Sequence, residues 1–96
     1  MPAWFIVNAR VHDREALMQG YGPAAAKLTE QFGGRYVIRA PGAVQLEGPG
    51  EDGGSVVVTE WPDREAALRF WNSPEYAEVK KMREGIADIS VTLVGN

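Results

Sequence analysis

The chain contains no cysteine and a single histidine, His12. The absence of cysteine excludes disulfide bonds and thiolate metal sites. A single histidine also excludes a metal site built from several imidazoles of one chain. The sequence therefore predicts neither a bound metal nor another cofactor.

Long apolar runs and an excess of positive charge are also missing. No apolar stretch approaches the roughly 20 residues that a bilayer-spanning helix needs, and residues 1–3 lead into a strand pattern instead of a signal peptide. The formal net charge of −3 argues against a nucleic-acid binder. We expect a cytoplasmic protein of bacterial type that binds neither membranes nor nucleic acids.

The residues that are present are typical of one small folded domain covering residues 1–96. The chain is 45% hydrophobic and 24% charged, as in a globular protein. A domain of this length buries a thin core, so oligomerisation would help to stabilise it.

A short motif, Asp-Arg-Glu-Ala, occurs at residues 13–16 and again at 63–66. Each copy follows a strand-like run and precedes a run rich in Ala and Leu. The acidic side chains resemble paired catalytic acids, but an Asp here can also accept hydrogen bonds from the first turn of a helix. We interpret Asp13 and Asp63 as caps at two equivalent strand-to-helix corners.

The hydrophobic periodicity predicts an element order of βαββαβ. The first helix should break near Gly20–Gly22 because Pro23 removes a backbone donor, and Ser73-Pro74 should begin a separate helix. Right-handed crossovers then give an α+β, ferredoxin-like antiparallel sheet with helices on one face. The predicted strands are 3–11, 35–40 with a continuation at 44–47, 55–61 and 89–94.

The sheet face opposite the helices combines apolar and polar residues. It is too apolar to be left in water and too polar to be an ordinary core. A second copy that covered this face would form a dimeric α/β barrel and enclose a small-molecule pocket. If Pro49-Gly50 forms the hairpin turn, Arg39 lies opposite Glu60. The predicted face consists of Trp4, Ile6, Asn8, Arg10, Val37, Arg39, Val56, Val58, Glu60, Thr92 and Val94.

Several segments of the chain resemble the domain-of-unknown-function 1330 family, whose small members belong to the dimeric α/β-barrel group. The resemblance implies a homodimer with facing sheets, similar in architecture to cofactor-independent monooxygenases, muconolactone isomerases and stress-responsive barrel proteins. It implies no particular reaction. Ala40-Pro41-Gly42 stands where relatives often have Gly-Gly after the arginine, so the backbone bulge at this point can differ from that of the relatives. The matching segments are 4–7, 32–39, 58–63 and 70–76, followed by Arg83.

Arg39, Glu60 and His12 are the candidates for chemistry. Arg39 would bind a substrate carboxylate or enolate, while Glu60 would transfer a proton at a raised pKa. The alternative is a structural Arg39–Glu60 ion pair. His12 would act as a general base at the pocket rim, or is an exposed residue before the Asp13 cap.

Further ligand-binding candidates come from the first strand and the last helix. Asn8 and Arg10 would orient a ligand, or lie at the dimer seam, and Trp4 would line the cavity. Tyr76 and Arg83 are two helical turns apart and would close the pocket mouth, although Tyr76 also suits the core.

Two functions are compatible with these residues. The protein is a cofactor-free enzyme or a binder of a small apolar or aromatic acid, with the ligand in the barrel cavity. Alternatively, it is a non-catalytic stress or accessory dimer whose interior is filled by its own side chains. The sequence leaves open whether the protein is an enzyme.

Overall fold

The structure, a computed structural model, describes residues 1–50 and 52–96 and confirms the ferredoxin-like α+β fold. The strands form one antiparallel sheet in the order β2-β3-β1-β4. No helix in these residues is long and apolar enough to cross a membrane. The elements are β1 (Ala3–Val11), α1 (Arg14–Gln19), α2 (Tyr21–Gln31), β2 (Arg35–Ala40), β3 (Ser55–Trp61), α3 (Arg64–Trp71), α4 (Pro74–Lys81) and β4 (Ala87–Gly95).

The predicted helix caps are present at both corners of the repeat. The Asp13 carboxylate accepts a hydrogen bond from the backbone N–H of Ala16 at 3.0 Å, and Asp63 accepts one from Ala66 at 2.8 Å. The Ser73 hydroxyl caps α4 in the same way. These contacts satisfy backbone donors that have no partner inside the helix, so the repeated acids have a structural role.

An aromatic cluster fills one end of the space between the sheet and the helices. Trp61 is 1% exposed and packs against Phe5 and Phe70, with ring centroids 5.8 and 4.9 Å away. Helix α3, which carries Phe70, lies directly on β1, β3 and β4. A Cβ atom at Gly34 would lie 2.7 Å from the Trp61 ring, so only glycine fits there.

An irregularity in β2 makes the predicted face wrong for Arg39 and also for Ile38, which strand alternation with Tyr36 assigns to the helix-covered face. Tyr36 pairs with Thr59 and Ile38 with the adjacent Val58, so Val37 is an extra residue in the ladder. A bulge of one residue reverses the side-chain alternation beyond it. Arg39 therefore lies opposite Val57 on the face covered by the helices, not on the open face with Glu60.

Smaller corrections concern the loop after β2 and the end of α4. Residues 44–47 are not strand, although Ala43 still exchanges backbone hydrogen bonds with Gly53 and Gly54. Residues 48–54 are rich in glycine, which predicts turns, and Glu51 of this segment lies outside the described residues. Helix α4 ends at Lys81, and Arg83 follows it in a turn.

Candidate functional site

A cavity of about 440 Å³ lies between the sheet and the helices. It occupies the end of the sheet where β1 and β2 finish and β3 and β4 begin. Helix α3 packs onto the sheet, whereas α2 makes its main helix contacts with α1 and α4, which leaves space at the other end. Most of the wall is apolar; the polar lining consists of Arg14, Tyr21, Thr29, Tyr36, Arg39, Ser55, Thr59, Tyr76 and Arg83.

Two tyrosines and an arginine meet on the helical side of this cavity. The hydroxyls of Tyr21, which begins α2, and Tyr76, on α4, are 2.8 Å apart. An Arg83 guanidinium nitrogen donates to the Tyr21 hydroxyl at 3.5 Å. Burial raises the pKa of Tyr21 well above its ordinary value, and Tyr76 raises it further, against the opposing effect of Arg83. Tyr21 is therefore a neutral hydroxyl at physiological pH.

Tyr36 and Arg39 stand on the sheet side of the cavity. The Arg39 guanidinium lies 4.6 Å from the centre of the Tyr36 ring, within the range of a cation–π contact. Burial raises the pKa of Tyr36, although a hydrogen bond from Thr29 and the charge of Arg39 oppose the rise. This wall therefore offers a guanidinium and a second neutral phenol.

The ionisable groups of the cavity have one sign of charge at neutral pH. Three arginines line it, and among the described lining residues there is no Asp, Glu or His. Within the described part of the chain, no cluster of three or more His, Cys, Asp or Glu residues could hold a metal ion. Such a lining can bind an organic anion, but its described residues include no carboxylate or imidazole to remove a proton.

Glu60 lies on the opposite face of the sheet, in a site of its own. Its carboxylate accepts hydrogen bonds from Arg35 at 2.9 Å and from the Trp4 indole at 3.1 Å. These two donors, Arg35 foremost, lower the pKa of Glu60. The predicted Arg39–Glu60 register and the predicted raised pKa are therefore both wrong.

The remaining predicted site residues are also outside the cavity. His12 is exposed, and its ring Nε2 is hydrogen-bonded to a carboxylate oxygen of Asp88 at 2.8 Å. Asn8 and Arg10 are on the open face, paired with Ser90 and Asp88 of β4. The structure thus brings Arg39, Tyr76 and Arg83 into one cavity and separates them from His12, Glu60, Trp4, Asn8 and Arg10.

Six of the nine polar lining residues are not among the candidates from the sequence, and the charged or aromatic ones are Arg14, Tyr21 and Tyr36. Arg14 is part of the repeated capping motif, and Tyr21 belongs to an apolar helical stripe that indicates core. Strand alternation in residues 35–40 correctly places Tyr36 on the helix-covered face, where its ring indicates packing. The signal that could identify the two tyrosines is the hydroxyl at the end of each ring, which needs a partner when buried; no such signal exists for Arg14.

Comparisons with known proteins agree with this fold. The family model for the domain of unknown function DUF1330 matches residues 2–96. A search of the curated proteins finds no match.

Solved structures from three organisms are similar to the chain. A protein of unknown function from Rhodopseudomonas palustris has a TM-score of 0.77 at 22% identity, covering 99% of this chain and 82% of that one. A dimeric ferredoxin-like protein of unknown function from Jannaschia sp. CCS1 has a TM-score of 0.75 at 12% identity, covering 100% of both chains. SnoaB, a cofactor-independent oxygenase from Streptomyces nogalater, has a TM-score of 0.69 at 18% identity, covering 99% of this chain and 92% of that one. At these identities the similarity shows a shared fold.

Proposed function

The chain belongs to the DUF1330 family of domains of unknown function, and we propose that it binds a small apolar or aromatic acid in the cavity between its sheet and its helices. The observation that carries this proposal is the cavity itself, a mainly apolar space of about 440 Å³ lined by three arginines and no described carboxylate. That volume is within the range of small-molecule sites.

The arrangement of charge supports an anionic ligand. Arg39 on the sheet and Arg83 after α4 approach the cavity from different walls. A cation beside an apolar space attracts an anion more strongly than it would in bulk water, because the local dielectric constant is lower. Apolar contacts would bind the body of the ligand, and a guanidinium would bind its acidic group.

We also propose that any reaction at this site uses no cofactor. The arginines would stabilise negative charge that develops on the ligand, which is a common and large contribution to catalysis. A neighbour of the same fold, SnoaB, is described as a cofactor-independent oxygenase. The cavity within one chain offers space for a ligand, which favours ligand binding over the alternative of a non-catalytic accessory dimer.

The open sheet face supports a homodimer. Ile38 and Val94 remain 45% and 40% exposed on it, beside Trp4 and Ile6 of the central strand β1. A second copy that covered this apolar face would remove it from water. One neighbour of the same fold is described as dimeric. In this assembly Glu60, Arg35 and Trp4 lie at the interface, while the cavity stays within each chain.

The proposal is tested with a fluorescent aromatic anion, 1-anilinonaphthalene-8-sulfonate. We expect saturable binding that weakens about tenfold, equivalent to ~1.4 kcal/mol, in Arg39→Gln and in Arg83→Gln. Arg69→Gln is the matched control, because Arg69 is an exposed arginine that pairs with Glu65 on α3.

A neutral probe with the same rings, N-phenyl-1-naphthylamine, separates charge from apolar contact. Its affinity should be nearly the same in the wild type and in the arginine variants. A ligand site in the cavity would be contradicted if the wild type did not bind the sulfonate. It would also be contradicted if the affinity fell equally in Arg39→Gln, Arg83→Gln and Arg69→Gln.

A further inference from the structure

We infer that the Tyr21–Tyr76 hydroxyl pair, together with Arg83, binds a single anionic oxygen, so that the ligands are phenols or enols taken up in their ionised form. This inference rests on the proposed function, because it concerns the same cavity. It goes further by naming the chemical group that is recognised and the residues that recognise it.

The first argument is a count of protons in the hydroxyl pair. Each phenol has one proton to donate, and the 2.8 Å contact between the two oxygens uses one of them. Arg83 donates to the Tyr21 oxygen, so it uses an acceptor site and no tyrosine proton. Whichever tyrosine donates to the other, one O–H of the pair remains to donate to a ligand.

The second argument is that Tyr21 and Arg83 both have protons to donate at neutral pH. The Tyr21 phenol stays protonated because burial opposes its ionisation, and Arg83 is always charged. A ligand oxygen placed at this pair therefore meets hydroxyl and guanidinium protons. No described lining residue is a carboxylate or an imidazole that would repel the oxyanion or take up its proton.

The third argument distinguishes a phenolate from a carboxylate. A carboxylate has two oxygens with about four acceptor positions, and placing it in an apolar space without enough donors is costly. The Tyr21–Tyr76 pair itself has one free O–H, which suits a single ligand oxygen. The Arg83 guanidinium beside it has further N–H donors and adds a positive charge. A phenolate or enolate presents that one oxygen and spreads the rest of its charge over apolar carbon.

This recognition has a measurable consequence for the ligand. A site that binds the ionised form more tightly than the neutral form lowers the pKa of the bound molecule by the logarithm of that preference. The proton is released to solvent on binding, so the protein needs no base for this step. Chemistry at the carbon adjacent to the oxygen-bearing carbon, where a phenolate or enolate carries part of its negative charge, would then begin from an anion that is already formed.

The experiment uses 4-nitrophenol, whose ionised form is visible by its absorbance. We expect its pKa to fall by about one unit on binding to the wild-type protein, which corresponds to roughly tenfold tighter binding of the phenolate. In the double variant Tyr21→Phe/Tyr76→Phe we expect this shift to be at least halved. Phenylalanine keeps both rings, and removing both partners of a hydrogen bond leaves no unpaired buried hydroxyl, so the double variant should fold.

A second variant and a second probe keep the outcomes distinct. Arg83→Gln should also reduce the shift, which provides a test if the double variant is unstable. 4-Nitroanisole cannot ionise, so its affinity should change little in either variant. Saturable binding with an unchanged nitrophenol pKa, or a full shift in both variants, would overturn this inference alone. Loss of aromatic-sulfonate binding in the wild type would instead overturn the proposed function.

Discussion

At the scale of single residues, the environments on the two sides of the sheet shift pKa values in opposite directions. On the helical side, burial keeps the Tyr21 phenol neutral, since the nearby charge of Arg83 does not compensate for lost hydration. On the open face, Glu60 is held ionised because Arg35 and Trp4 donate hydrogen bonds to its carboxylate. Desolvation dominates at the first site, and hydrogen bonding at the second.

Glu60 makes stability depend on acid pH. Its pKa in the folded protein is below the ordinary value of 4.5, so its contribution is present above that value and is lost as pH falls through the lowered pKa. As pH falls below about 4.5, we expect the free energy of unfolding to decrease less in Glu60→Gln than in the wild type. Urea denaturation at a series of pH values measures this free energy for both proteins.

The matched control for this prediction is Glu78→Gln. Glu78 is an exposed carboxylate whose ion pair with Lys81 is 3.3 Å long, and exposed pairs contribute little. At acid pH the free energy of unfolding of Glu78→Gln should decrease as much as that of the wild type. An equal change in the two variants would show that the Glu60 contacts do not produce the pH dependence.

At the scale of elements, the sequence predicts the strands and caps well but cannot predict the bulge in β2. Alternation correctly placed β2 at 35–40, and the Asp-Arg-Glu-Ala repeat placed both corners. Val37 and Ile38 are both β-branched and apolar, so either could face the core, and nothing local indicates that one is extra. That single residue decides the face of Arg39, and with it much of the candidate site.

The two corner caps should differ in their contribution to stability. Helix α3 buries Ala66, Ala67 and Phe70, whereas α1 has no buried residue. We therefore expect Asp63→Ala to lower the free energy of unfolding by about 1 kcal/mol, and the equivalent change at Asp13 to cost less, because α1 can fray without exposing core. Chemical denaturation of both variants provides the comparison.

Asparagine substitutions are the controls, since Asn also caps helices well. Asp63→Asn should stay close to the wild type. Equal losses at the two corners, or a loss in Asp63→Asn as large as in Asp63→Ala, would contradict an assignment of this difference to capping and burial.

At the scale of the whole molecule, the location of the cavity depends on packing that the sequence does not specify. Strand alternation correctly separates a helix-covered face from an open face on β1, β3 and β4. It does not indicate that α3 lies on the sheet while α1 and α2 leave space beside it. The sequence interpretation therefore placed the pocket between two copies, whereas the structure has a cavity inside one chain.

The proposed homodimer and the cavity can be separated by one substitution on the open face. Light scattering at micromolar concentration should give the wild type twice the 10.5 kDa mass of one chain. Ile38→Glu places a charge in the proposed interface, where an unpaired buried carboxylate is costly, so we expect it to be monomeric. Leu68→Glu is the control, because Leu68 is similarly exposed but lies on α3.

The monomeric variant should still bind 1-anilinonaphthalene-8-sulfonate with an affinity within about threefold of the wild type, a difference of ~0.65 kcal/mol. The reason is that Tyr21, Tyr76, Arg39 and Arg83 all line a cavity within one chain. A wild-type monomer would contradict the dimer and leave the cavity intact. Loss of probe binding together with the dimer would place the ligand between the two sheets, beside Trp4 and Glu60.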